Sequence, residues 1–202
     1  MKSRVLLVEG ADDKGVSVAF LQRSTLEVYV EDGHGYEKLR AGLGAQLLVS
    51  GRTHLGVVVD ADADPAGRWR SIADAVVKYG YVLPVEPDAG GTVVPSPARG
   101  LPVLGLWLMP DNSTDGMLEH FVSAMIPGDD VLWPRACAVV SGLSGEARPF
   151  PEVHRVKAEI HTWLAWQKEP GRPMGQAITK KFLEGTAPGA ASFQAWLGRL
   201  FA

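Results

Sequence analysis

Apolar residues in this chain gather in short runs that stop at acidic ones. Four consecutive apolar residues at 5–8 end at Glu9. The run is too short for a signal peptide and predicts a buried strand over 4–8. Residues 12–22 follow with Val16, Ala19 and Phe20 at helical spacing. Residues 26–30 alternate like a second strand, 33–35 form a Gly-His-Gly turn, and 36–48 predict a helix weakened by Gly42 and Gly44. A third strand is expected over 54–59. Pro65 is a good first-turn residue, and Trp69, Ile72, Ala73, Val76 and Val77 place a helix over 66–79. The Pro/Gly-rich stretch 84–102 is too broken for a long helix, though 92–94 suits a short edge strand. A strongly apolar strand at 101–109 and a helix at 113–124, started by Ser or Asp caps, complete the series.

Such alternation predicts an α/β fold with a mostly parallel central sheet and helices on both faces. Beyond Pro127 the pattern becomes helical. Segments 131–143, 153–166 and 193–201 carry Trp133, Trp163, Trp166 and Trp196, and a Pro/Gly-rich loop at 168–175 separates them. The expected organisation is an α/β domain over 1–126 with a helical C-terminal part, 127–202, packed on it as one structural unit.

Composition narrows the class without changing it. The 202 residues are 46% hydrophobic and 21% charged, the balance of an ordinary globular protein. A chain of this length buries about 70% of its unfolded surface and needs no covalent staple. Cys137 is the single cysteine, so no disulfide forms within the chain and a cysteine-based zinc site is disfavoured. A reducing cytoplasm is expected. No apolar run approaches the ~20 residues of a membrane helix. The net charge of −3 counts against a protein that coats nucleic acid, since that binding relies on Lys and Arg. A local basic rim stays compatible with it.

The chemistry lies at the strand ends. Val-Leu-Leu-Val stops at Glu9, Val-Val-Val at Asp60, and Leu-Trp-Leu-Met-Pro at Asp111. In a parallel sheet these ends share one edge, where open α/β sheets place their sites. Asp12 and Asp13 follow the first, Asp62 and Asp64 the second. Carboxylates crowded together raise one another's proton affinity, which calls for a proton or a cation among them. Hard oxygen donors suit Mg²⁺ or Mn²⁺ rather than zinc. A lone Asp at a strand end is more often a helix cap, and Asp12 or Asp64 fits that role; Asp62 fits a turn in Asp-Ala-Asp-Pro. Caps do not account for a carboxylate at three strand ends, so Glu9 with Asp60 and Asp62 is read as a site. Taken alone, Glu119 is a solvated helix residue and His120 a packing or surface histidine.

Val-Glu-Gly-Ala-Asp-Asp and Val-Val-Asp-Ala-Asp-Ala-Asp, each after a strand, resemble the two motifs of Toprim domains. These are the metal-binding catalytic modules of topoisomerases, bacterial primases and OLD-type nucleases. Met-Pro-Asp-Asn-Ser-Thr-Asp-Gly-Met-Leu-Glu-His is similar to a string of a small stand-alone bacterial group related to the OLD nucleases. The resemblance covers Arg4 to about Phe121, and more loosely the tryptophan-bearing helices. It implies that Glu9 handles protons or holds metal, that Asp60 and Asp62 form a metal pair with Asp64 as third member, and that Asp13 and Glu119 are further acidic ligands. It also implies magnesium- or manganese-dependent phosphodiester chemistry on DNA or RNA. No tyrosine is placed as in topoisomerases, and no ATPase domain of the OLD kind is present. The basic residue such nucleases use has several candidates, Lys14, Arg68, Lys180 and Lys181, and no decisive spacing. Asp111, Lys180 and Lys181 are the substrate-side candidates, although adjacent lysines are more often simply solvated. Two other readings stay open: a Toprim-like binding or regulatory module working with a protein such as an ATPase, and a receiver-like phosphoacceptor around Asp12, Asp13 and Asp60. A homodimer is compatible with the sequence.

Overall fold

The computed structural model describes residues 2–202. Its five strands are β1 (Arg4–Val8), β2 (Tyr29–Asp32), β3 (His54–Asp60), β4 (Thr92–Val94) and β5 (Val103–Met109). They form one sheet in the order β2-β1-β3-β5-β4, parallel throughout except for β4, which runs antiparallel along β5. The helices are α1 (Ala11–Leu21), α2 (Tyr36–Leu47), α3 (Pro65–Val77), α4 (Leu118–Ser123), α5 (Trp133–Ser141), α6 (Arg155–Ala165), α7 (Met174–Thr179) and α8 (Pro188–Phe201). This is the α/β architecture that the alternating pattern predicts. Among the described residues no helix is long and apolar enough to cross a membrane.

Side chains alternate across a strand, so the near-continuous apolar strands feed two cores. Val5, Leu7, Leu55, Val57, Val59 and Leu106 pack under α2 and α3 through Leu39, Leu43, Trp69 and Ile72. Leu6, Val8, Val58, Trp107 and Met109 face the other way and meet α1 and the helices that follow α3. Full burial of each large side chain contributes about 1.5–3 kcal/mol, which is why both sheet faces carry helices.

The C-terminal helices complete that second core. Phe193 of α8 stacks 5.6 Å from Trp196, and meets Trp107 of β5 at 5.1 Å and Phe20 of α1 at 5.2 Å. Trp196 also donates its indole N–H to the Thr92 carbonyl of β4 at 3.1 Å. Under α8 two glycines lie side by side on neighbouring strands, since Gly56 pairs with Gly105. A β-carbon at Gly56 would approach Leu200 to 3.0 Å, and one at Gly105 would overlap the same side chain. The paired glycines therefore make the slot in which α8 seats.

Several boundaries differ from the expected ones, each for a tertiary reason. The second strand lies at 29–32 rather than 26–30, because pairing to β1 begins at Tyr29↔Val5; Leu26 and Val28 instead pack on the core from a loop. The helix expected over 113–124 is reduced to α4. Asp111 Oδ1 gathers the backbone N–H and hydroxyl groups of both Ser113 and Thr114, while Gly116 pairs with Asp62 through two backbone hydrogen bonds of 2.7 and 2.8 Å. Those bonds hold the backbone in turns. In turn, α7 begins inside the stretch read as a loop and lies against α1, where Gly175 has no room for a β-carbon beside Gly15 and Val16. Pro188 opens α8 five positions before the expected start.

Candidate functional site

The chain leaves β1 toward β2 on one side and, from β3, toward β5 on the other. The connections that leave the two paired strands therefore run to opposite sides at their C-terminal ends, the switch point at which open α/β sheets form crevices. Glu9 and Asp60 leave the sheet there. The Asp60 N–H donates to Glu9 Oε2 at 3.3 Å. Asp60 Oδ1 accepts the Leu118 N–H at 2.8 Å, which ties the carboxylate to the first turn of α4. Asp13 in the first turn of α1 folds back, its Oδ2 accepting the Gly10 N–H at 3.1 Å. Its Oδ1 is buried with no hydrogen-bond partner. Glu119 of α4 is 2% exposed, and its Oε1 meets Lys157 Nζ of α6 at 2.9 Å.

Burial and mutual repulsion govern this cluster. Burial, and then the charges of Asp13 and Glu9, push the Asp60 carboxyl up to about 8 against the opposing Leu118 N–H. Burial and the nearby Glu9 push Asp13 up to about 7. Glu9 is raised as well, chiefly by burial, with hydrogen bonds from the Asp60 and Tyr36 backbone opposing the rise. Lys157 is raised despite its own burial, because it is bonded to Glu119 and lies near Asp12 and Asp60. The group thus holds protons at neutral pH or demands a cation in their place.

The donor chemistry fits a hard divalent cation: only carboxylate oxygens are on offer, and one buried oxygen of Asp13 has no partner. Yet among the described residues no three His, Cys, Asp or Glu side chains already converge on a common metal position. The two facts are compatible. Charge repulsion extends over several ångströms, whereas Mg²⁺ needs its oxygens at about 2.0–2.1 Å. Ligation of such an ion would require side chains to rotate inward.

The remaining acidic residues divide clearly. Asp62 has a left-handed backbone (φ 51°), and its charge raises the proton affinity of Glu9. Its own carboxylate is ion-paired with Arg68, whose guanidinium stacks 3.5 Å over the Tyr36 ring. Asp64 caps α3, accepting the Gly67 N–H at 2.8 Å, and is exposed. Asp111 is held below the usual carboxylate range, since the Ser113 and Thr114 hydrogen bonds outweigh its burial; its structural work is the turn after β5. His120 accepts the Met117 N–H at 3.1 Å and so caps its own helix.

The lysine pair lies elsewhere. Lys180 is ion-paired to Glu169 at 2.8 Å, and Lys181 lines a cleft with Gln22 and Arg23 past the end of α1. From Asp13 that is roughly 13 Å along the helix, at about 1.5 Å per residue. Two basic groups that do reach the acidic edge are Arg68 and Lys157. Lys157 escapes sequence reasoning because its helix carries no motif and only tertiary packing brings α6 over α4. Beside Asp62 opens a cleft of about 510 Å³, lined by Thr114, His120, Trp133, Arg155 and Glu159 among others.

A family model described as "Protein of unknown function (DUF3226)" matches residues 3–202. The chain belongs to this family. No curated protein and no solved structure matches it. The DUF3226 match runs through the sheet and the C-terminal helices alike, so the unit it defines includes both Glu119 on α4 and Lys157 on α6.

Proposed function

We propose that this DUF3226 protein performs magnesium- or manganese-dependent, nuclease-like phosphodiester chemistry on nucleic acid, in the cytoplasm, at a Toprim-like acidic site. The observation that carries the reading is the set of proton-hungry carboxylates, Asp13 buried and Glu9 and Asp60 half-buried, at the C-terminal ends of β1 and β3. The Toprim-like motifs supply the substrate class. Glu9 and Asp60 are the principal ligands, and Asp13 offers its unpartnered oxygen. Glu119 and Asp62 add to them once their basic partners yield. A bound divalent ion supplies Lewis-acid stabilisation of phosphoryl charge and a more acidic water. Glu9, beside the backbone of Asp60, is placed to take or return a proton, and Asp60 holds α4 against the site through Leu118.

The test is a cleavage assay on plasmid DNA, single-stranded DNA and RNA with Mg²⁺ or Mn²⁺. Wild type cleaves at least one substrate, while Asp60→Asn and Glu9→Gln lose roughly 100-fold of the rate or more, the upper end of what loss of a mere supporting partner of a metal ligand costs. Metal binding without cleavage of any nucleic acid discards the nuclease reading and leaves the metal site.

One observation favours a second reading. Asp62, the second member of the Asp-x-Asp pair, is engaged by Arg68, and among the described residues no ready-made cage exists. This suits a Toprim-like module that is inactive alone, as a monomer or homodimer, and is completed by a protein partner such as an ATPase. Inactivity of the isolated chain, with activity restored by a co-purifying ATPase, supports this reading over the first.

A further inference from the structure

Lys157 is the basic group that the C-terminal helices bring to the acidic cluster, and its position is unusual for an ordinary surface ion pair. The side chain of Glu119 is 3% exposed, whereas that of Lys157 is 47% exposed, with Nζ and Oε1 2.9 Å apart. The lysine reaches inward from a half-open position to cover a buried carboxylate. Its charge is also felt from Asp12 and Asp60, so it serves the cluster as well as one partner. A buried carboxylate without a counter-charge is strongly disfavoured. Lys157 provides that counter-charge in the ion-free protein.

We infer that Lys157 is an internal counter-ion occupying the cation's place, so that a divalent ion enters only as the Lys157–Glu119 pair gives way. The inference rests on the acidic cluster being a divalent-cation site. Two charge arguments support it. The ammonium and an incoming divalent ion are like charges, less screened on the side facing the buried Glu119 carboxylate than in open solvent. Glu119, committed to Lys157, also cannot offer the same oxygen to a metal. Both effects lower metal affinity in the resting protein, and both vanish with the lysine. The pair joins α4 to α6, so metal entry is coupled to the contact between the strand-end site and the C-terminal helices.

The experiment is Mn²⁺ binding to the full chain, followed by electron paramagnetic resonance and calorimetry, for wild type, Lys157→Met and Lys157→Arg. Lys157→Met should bind Mn²⁺ at least tenfold more tightly, the scale expected for removing a nearby like charge. Lys157→Arg, which keeps the charge, should stay within about threefold of wild type. Lysine-reactive labelling of wild type, read by mass spectrometry, gives a measurement independent of any variant's folding. Labelling of Lys157 should rise severalfold when Mn²⁺ is added. Equal or weaker binding by Lys157→Met, beside clear binding by wild type, overturns the inference, as does labelling indifferent to metal. If neither protein binds Mn²⁺, the metal-site reading falls first and takes the counter-ion with it.

Discussion

Asp60 shows how a single residue joins fold and chemistry. It ends β3, caps α4 through Leu118 and is the carboxyl most strongly raised, to about 8. Asp13, raised to about 7, follows it. Their ordinary value is 3.8, so between about pH 4 and 8 the folded protein binds more protons than the unfolded chain. Stability of the ion-free protein therefore falls as pH rises through that window. Asp60→Asn keeps an oxygen for the Leu118 N–H and removes the charge. In EDTA at pH 8 it should gain roughly 2–5 kcal/mol over wild type, the upper figure being the full shift at about 1.4 kcal/mol per unit and the lower one allowing for relaxation around a half-buried group, a melting-temperature rise of at least about 4 °C. The gain should vanish near pH 4, and Mn²⁺ should stabilise wild type but not the variant. Melting curves from pH 4 to 8.5 with and without Mn²⁺ decide this, and a difference that does not change with pH refutes the buried-charge account.

At the scale of elements, the seating of α8 depends on what β3 and β5 leave out. Gly56 and Gly105 are paired in register and Leu200 fills the space above them. Gly105→Ala should cost about 1–3 kcal/mol by overpacking. In urea unfolding, combining it with Leu200→Ala should recover much of that loss, because neighbours couple. Strict additivity of the two costs would mean that α8 does not seat in this slot. The same scale explains why α4 is short: its expected first turn is spent on the Asp111 turn and the Asp62–Gly116 backbone pair. That leaves Leu118 as the residue that meets Asp60, and places Glu119 one step further in.

Taken whole, the molecule has one sheet and two cores, and the second core is closed by the chain's last third. Phe193, Trp196, Leu197 and Phe201 are all fully buried and lie in the same cluster as Phe20 and Trp107. A chain cut after Ile126 loses this cover over one sheet face, so it should be insoluble or lack cooperative unfolding by calorimetry. Phe193→Ala in the full chain should cost about 3–5 kcal/mol, measured by urea unfolding. A soluble 1–126 fragment with a sharp thermal transition would show that the sheet stands without its C-terminal helices.

Read alone, the sequence determined the parts set by local chemistry. Runs such as Val-Val-Val before Asp60 specify buried strands, the spacing of Trp69, Ile72 and Val76 specifies α3, and alternation of the two specifies a mostly parallel sheet. Strand-end carboxylates in such a sheet must share an edge, so Glu9 and Asp60 were legible as neighbours. Tertiary structure decided what depends on partners remote in the chain. Pairing with β1 set where β2 begins, and close packing on α1 let α7 begin inside a stretch that reads as loop. It gave Asp62 to Arg68, left Asp64 as a cap, and put Lys180 and Lys181 at the far end of α1. It also carried Lys157 over Glu119. Periodicity records which face of an element is apolar, but not which distant charge will cover a buried carboxylate, because that follows from how helices cross.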